Sequence, residues 1–167
     1  LFLTLHTICA TMLYKLTERL LRDGGFNESK PAALLGVLLF SISPYISEAL
    51  VWEPSFHFVQ GLLFILIILL QVQRFMRTGA TRHAIIACLV YFLSTFALEI
   101  FYITPWLALS LILFYAYQPG SAARTRKAIT SVITPMLLLF VLRLVIFRVV
   151  YHSWVSRIGP GAVTSID

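Results

Sequence analysis

Apolar residues fall into six runs along the chain, separated by short polar turns or by proline. A membrane-crossing helix needs about 20 mainly apolar residues, and the runs match that length: Leu1–Leu21, Ala32–Trp52, Ser55–Gln73, Ala84–Ile100, Tyr102–Tyr117 and Ile129–Tyr151. Between the first two lies Arg22-Asp23-Gly24-Gly25-Phe26-Asn27-Glu28-Ser29-Lys30-Pro31, a polar turn rich in helix breakers. Ser43-Pro44 predicts a kink late in the second run, because proline removes a helical hydrogen bond. Pro105 stands near the start of the fifth, where proline is tolerated. The pattern predicts an all-α, polytopic transmembrane bundle of about six spans, forming a single domain over residues 1–167, with no soluble domain and no internal repeat.

Composition agrees with that pattern. Hydrophobic residues make up 59% of the chain and charged residues 12%, about half the charged share of an average soluble domain. Leu1–Leu21 has no basic segment ahead of it and no small-residue cleavage site behind it, so it reads as a span rather than a signal peptide. The net charge of +6 does not indicate nucleic acid, because the bases sit in clusters between apolar runs rather than along one groove.

Those clusters give an orientation. Lys15, Arg19, Arg22 and Lys30 flank the first turn, Arg74, Arg77 and Arg82 the second, and Arg124, Arg126 and Lys127 the third. With six spans all three turns share one side, which holds ten of the 13 lysines and arginines. Short cytoplasmic loops carry the basic excess, so this side is expected to face the cytoplasm of a bacterial inner membrane or of the endoplasmic reticulum.

The opposite end gathers the unusual polar residues. Glu48, Glu53 and Glu99 lie at external span ends in apolar surroundings, and ionisable groups at membrane depth commonly face a cavity. Glu48 and Glu99 are the stronger candidates, since Glu53 adjoins a turn. His6, two turns below the outer end of the first span, reaches the same region, although a packed histidine explains it as well. Trp52, Trp106, Tyr45 and Tyr102 fit an interfacial aromatic belt. At a rise of about 1.5 Å per residue, Arg143 falls in the outer half of the bilayer and Arg148 near its outer surface. Each either snorkels to lipid headgroups or holds a phosphate in a guanidinium fork. Glu18, Asp23 and Glu28 read as solvated partners of the neighbouring bases. Cys9 and Cys88 read as small core residues, and no spacing suggests a metal site.

The run from Leu5-His6 to Leu13-Tyr14-Lys15-Leu16, the segment Phe40–Trp52 with Pro44, Glu48 and Trp52, and Ser94–Glu99 ahead of Pro105 together resemble the membrane-embedded glycosyltransferases of the GT-C superfamily, especially the protein O-mannosyltransferase-like members. The likeness covers roughly residues 1–117. It implies transfer of a sugar from a polyprenyl-phosphate donor to an acceptor on the external or lumenal face. His6, Glu48, Trp52 and Glu99 would line the cavity, with a carboxylate as general base and Arg143 or Arg148 at the donor phosphate. It also admits a divalent metal ion as cofactor, and membrane lipids and partner membrane subunits as partners. Three departures stand out: the family's catalytic acidic loop would precede Leu1, so the resemblance implies an N-terminally incomplete enzyme; Ser43 replaces the motif's histidine; and no arginine follows Trp52 closely. A non-catalytic membrane subunit built on the same helices is the alternative expectation. A transporter is a third, weakened by the lack of inverted repeats.

Overall fold

The computed structural model describes residues 2–42, 56–96, 102–118 and 121–151. Among the described residues there are six helices and no strand. They are α1 (Phe2–Asp23), α2 (Ser29–Ser41), α3 (Phe56–Thr78), α4 (Thr81–Ser94) and α5 (Thr104–Ala116), followed by α6, built from Ala122–Ala128, the π-helical Ile129–Ile133 and Thr134–Tyr151. The predicted kink at Pro44 lies outside the described residues.

Helix α3 is the centre of the bundle: α1, α4 and α5 all pack on it, α2 packs on α1, and α6 closes over α4 and α5. Its sequence explains this, because two of its faces are apolar. Ile68, Val72, Phe75 and Met76 form one stripe, joined by Ala84, Ala87 and Tyr91 of α4, Ala108, Ile112 and Tyr115 of α5, and Val132 and Met136 of α6. Val59, Leu66 and Leu70 form the other, against Cys9 and Leu16 of α1. Small residues sit where helices approach most closely, since Ala84, Ala87, Ala108 and Ala128 are all essentially buried; this suits helix pairs held by packing rather than by expulsion of water.

Two helices, Phe58–Thr78 and Ala122–Val150, are long and apolar enough to cross a membrane. Helix α6 is the less enclosed, with 22% of its most apolar stretch buried within the chain. Its outward residues Leu138, Val141, Leu142, Val145 and Val149 recur at helical spacing and are all well exposed. Leu34, Leu35, Leu38 and Leu39 of α2 and Ile85, Leu89 and Leu93 of α4 are also well exposed; grouped apolar exposure of this kind marks a surface for lipid or for another protein.

The last helix starts seven residues before the apolar run Ile129–Tyr151 and includes Arg124, Arg126 and Lys127. Hydropathy marks where a helix leaves apolar surroundings, whereas arginine and lysine are good helix formers on the polar side of that edge. The π turn follows from Pro135. Proline has no N–H to return to the Ser131 carbonyl four residues back, and the backbone widens ahead of it so that the Thr134 N–H reaches Ile129 O. The Cys88 thiol points at the released Ser131 carbonyl and at its neighbour, 3.8 Å from both Ser131 O and Val132 O.

Candidate functional site

At one end of the bundle the three polar turns meet. Helix α3 stops at Gly79, whose φ of 70° is the left-handed conformation glycine takes up readily, and the Gly79 N–H donates to Phe75 O at 2.7 Å. The last carbonyls of a helix lack intrahelical donors, and here α6 supplies them. Arg124 Nη1 donates to Met76 O at 2.9 Å and Lys127 Nζ to Gly79 O at 3.2 Å. Asp23, at the end of α1, accepts a 2.6 Å hydrogen bond from the Tyr115 hydroxyl, while Gln118 Nε2 donates to the Asp23 main-chain oxygen at 2.9 Å. Arg77 Nε stands 3.9 Å from Asp23 Oδ2. Asp23, Met76, Arg77, Tyr115, Gln118 and Arg124 line a polar cavity of about 290 Å³.

Asp23 is therefore more than a solvated partner of nearby bases. Its partners lie on α3 and α5, far along the chain, so no local pattern reveals them. Glu18 does pair locally, with Arg22 one turn on. Replacing Tyr115 by Phe is expected to lower stability by about 1–2 kcal/mol, since a hydrogen bond to a charged group is worth about 1.5–3 kcal/mol and Asp23 keeps Arg77. Thermal melting in detergent of the wild type, Tyr115→Phe, Asp23→Asn and the double variant checks this. Additive losses would show that the two side chains are not coupled.

His83 belongs to the same end. It lies in the first turn of α4, is 8% exposed, and its Nδ1–H donates to Gln71 Oε1 of α3 at 2.8 Å. Burial, then the charges of Arg82 and Arg74, pull its pKa below the ordinary 6.5. The opened chain thus takes up the proton first, and the α3–α4 hairpin loses stability as pH falls through the ordinary value toward the lowered folded one. The effect is absent above about pH 7.5 and is expected to appear as a lower melting temperature near about pH 5.5. His83→Gln should flatten that pH dependence, and an unchanged slope would exclude His83 as its source.

Of the residues singled out by the sequence, His6, Arg143 and Arg148 lie toward the opposite end. His6 is buried between α1 and α2, stacked on Phe40 at 5.4 Å between ring centroids and 17° between planes. Arg143 is 4% exposed. Its guanidinium lies 4.9 Å from the Tyr102 ring centroid, in the turn leading into α5, and 4.1 Å from that of Phe147, one turn further along α6. It is within electrostatic reach of Tyr91, and its interactions extend beyond these rings. A planar, weakly hydrated cation suits such a setting. Arg148 is exposed and also has interaction partners. Glu48, Trp52 and Glu99 lie outside the described residues. Among the described residues no group of histidine, cysteine and carboxylate side chains is placed to hold a metal ion.

Arg143 faces inward because it continues the stripe of Val132 and Met136 at helical spacing, while the exposed residues occupy the other side. The Asp23–Tyr115 site carried no comparable signal in the sequence. Comparison with known family models, curated proteins and solved structures yields no match.

Proposed function

We propose that the chain is a multi-pass membrane bundle of about six spans, its basic turns cytoplasmic, and that it forms part of a GT-C-like glycosyltransferase using a polyprenyl-phosphate sugar on the external or lumenal face. Arg143 is the observation that carries the reading. A lipid-snorkelling arginine would stand on the outward stripe with Val141 and Val145, whereas Arg143 is enclosed by Tyr102 and Phe147 at the end of the bundle away from the basic turns. A guanidinium held in a fixed plane and shielded from water is suited to the phosphate of a departing lipid. The broad apolar surface of α2, α4 and α6 supports insertion in a bilayer.

The test is reconstitution of the full-length protein in liposomes with polyprenyl-phosphate sugars and an acceptor, comparing wild type with Glu48→Gln and Glu99→Gln. Transfer by wild type with loss in either variant is expected. Unchanged transfer in both variants removes the carboxylates from the chemistry. The exposed apolar faces of α2 and α6 favour a second reading, a non-catalytic membrane subunit that docks on partner helices. Absence of wild-type transfer would support that reading.

A further inference from the structure

Helices α1 and α5 both pack on α3 yet touch each other little. The cleft between them is largely apolar, with Leu16, Leu20, Leu69, Leu107, Leu111 and Phe114 bordering, together with Ser110, a groove of about 300 Å³. It ends within one helical turn of the polar cavity, because Leu20 precedes Asp23 by three positions and Leu111 precedes Tyr115 by four. The bonds from Tyr115 and Gln118 to Asp23 bridge α1 and α5 at this end.

The polar cavity is positively charged. Two guanidiniums against one carboxylate leave a single net positive charge among its lining residues. At 3.9 Å the Arg77–Asp23 pair is too long for a hydrogen bond, and Arg124 directs Nη1 at Met76 O. A guanidinium has five N–H donors, so donors on both residues are left to serve an anion.

An apolar slot leading to a singly positive mouth matches one class of molecule. We propose that this cleft binds an anionic phospholipid of the cytoplasmic leaflet, an acyl chain lying along Leu16–Leu20 and Leu107–Phe114 and the headgroup phosphate meeting Arg77 and Arg124. The inference rests on the multi-pass reading, which sets this end at the cytoplasmic interface, but it is independent of sugar transfer. The cavity lies where the apolar stretch of α3 gives way to Arg77, at the depth of lipid phosphates. The Tyr115 hydroxyl donates to the Asp23 carboxylate, so that its charge is already engaged, and Gln118 fixes the Asp23 main chain.

The experiment uses the protein purified in mild detergent, stripped of lipid and titrated with phosphatidylglycerol, phosphatidylcholine or glycerol phosphate, with bound lipid counted by native mass spectrometry. One phosphatidylglycerol per chain is expected, with phosphatidylcholine and glycerol phosphate binding at least about fivefold more weakly. The pair Arg77→Gln and Arg124→Gln should weaken binding by about 25-fold, roughly fivefold for each basic residue near a membrane surface. Ser110→Trp fills the groove without changing charge and should also expel the lipid. Arg82→Gln with Arg126→Gln removes equal charge from the same end outside the cavity and should leave binding intact. Equal weakening by that control pair would reduce the effect to surface charge and overturn the site. So would unchanged retention in Ser110→Trp, or glycerol phosphate binding as tightly as the lipid. Extraction of the chain from membranes by alkali would remove the multi-pass reading itself, whereas an inserted chain that retains no lipid would remove this inference alone.

Discussion

Phe75→Ala is expected to destabilise the bundle by about 2–3 kcal/mol, while Phe58→Ala changes stability by no more than about 0.5 kcal/mol. Phe75 is fully buried where α3, α4, α5 and α6 meet, and Phe58 is 52% exposed on the same helix. In water, truncating a buried phenylalanine costs about 3–5 kcal/mol, part of it lost transfer free energy. In a bilayer the unfolded helices still face apolar lipid, so the transfer part largely vanishes and the cavity part remains. Removing roughly 100 Å³ at about 24 cal/mol per Å³ gives the predicted loss. Lys127, itself exposed, lies 5.8 Å from the Phe75 ring centroid and adds a smaller cation–π contribution. Thermal melting in detergent should fall by about 5–10 °C for Phe75→Ala. Equal melting temperatures for the two variants would mean that α3 is not the centre of the packing.

The difference between those two phenylalanines was only partly legible in the sequence. The apolar runs announced the helices, and Cys9 was legible as a small core residue of the first, where it is fully buried. Helix α3 is apolar nearly all round, so no stripe distinguished its packed sides from its exposed positions; the partners that bury Phe75 come from three other helices. The same limit hid the polar cavity. Asp23, Tyr115 and Arg124 are unremarkable one by one, and only folding brings the ends of α1, α3 and α5 to the start of α6. The π turn adds a local reason. A helical wheel drawn across Ile129–Ile133 drifts out of phase, because the turn adds a residue that a regular 3.6-residue period does not count. Beyond the turn the period is regular again, and there the sequence did contain the answer: Met136 and Arg143 share the face opposite Leu138, Val141 and Val145. Depth alone left Arg143 divided between lipid and phosphate.

That inward face makes Arg143 the residue whose replacement should matter most for transfer. Under the proposed function, Arg143→Gln is expected to lower the rate of sugar transfer by about 10²–10³-fold, the usual loss when a positioned charge-stabilising donor is removed. Arg143→Lys keeps the charge but loses the planar fork and the stacking on Tyr102 and Phe147, and should recover only part of the rate. The two variants also separate catalysis from packing. A desolvated cation–π contact is worth about 2 kcal/mol, so both should melt below wild type, and a purely structural arginine would show that loss with an unchanged rate per folded molecule. Tyr102→Leu gives an independent reading, because it leaves the charge in place and removes one wall of the clamp. If Arg143 acts on the phosphate of the departing lipid, Tyr102→Leu should lower kcat more than it raises KM for the donor, since a mispositioned charge fails chiefly where negative charge develops. Wild-type transfer rates in folded Arg143→Gln would leave Arg143 as a packing residue and remove the observation on which the glycosyltransferase reading stands.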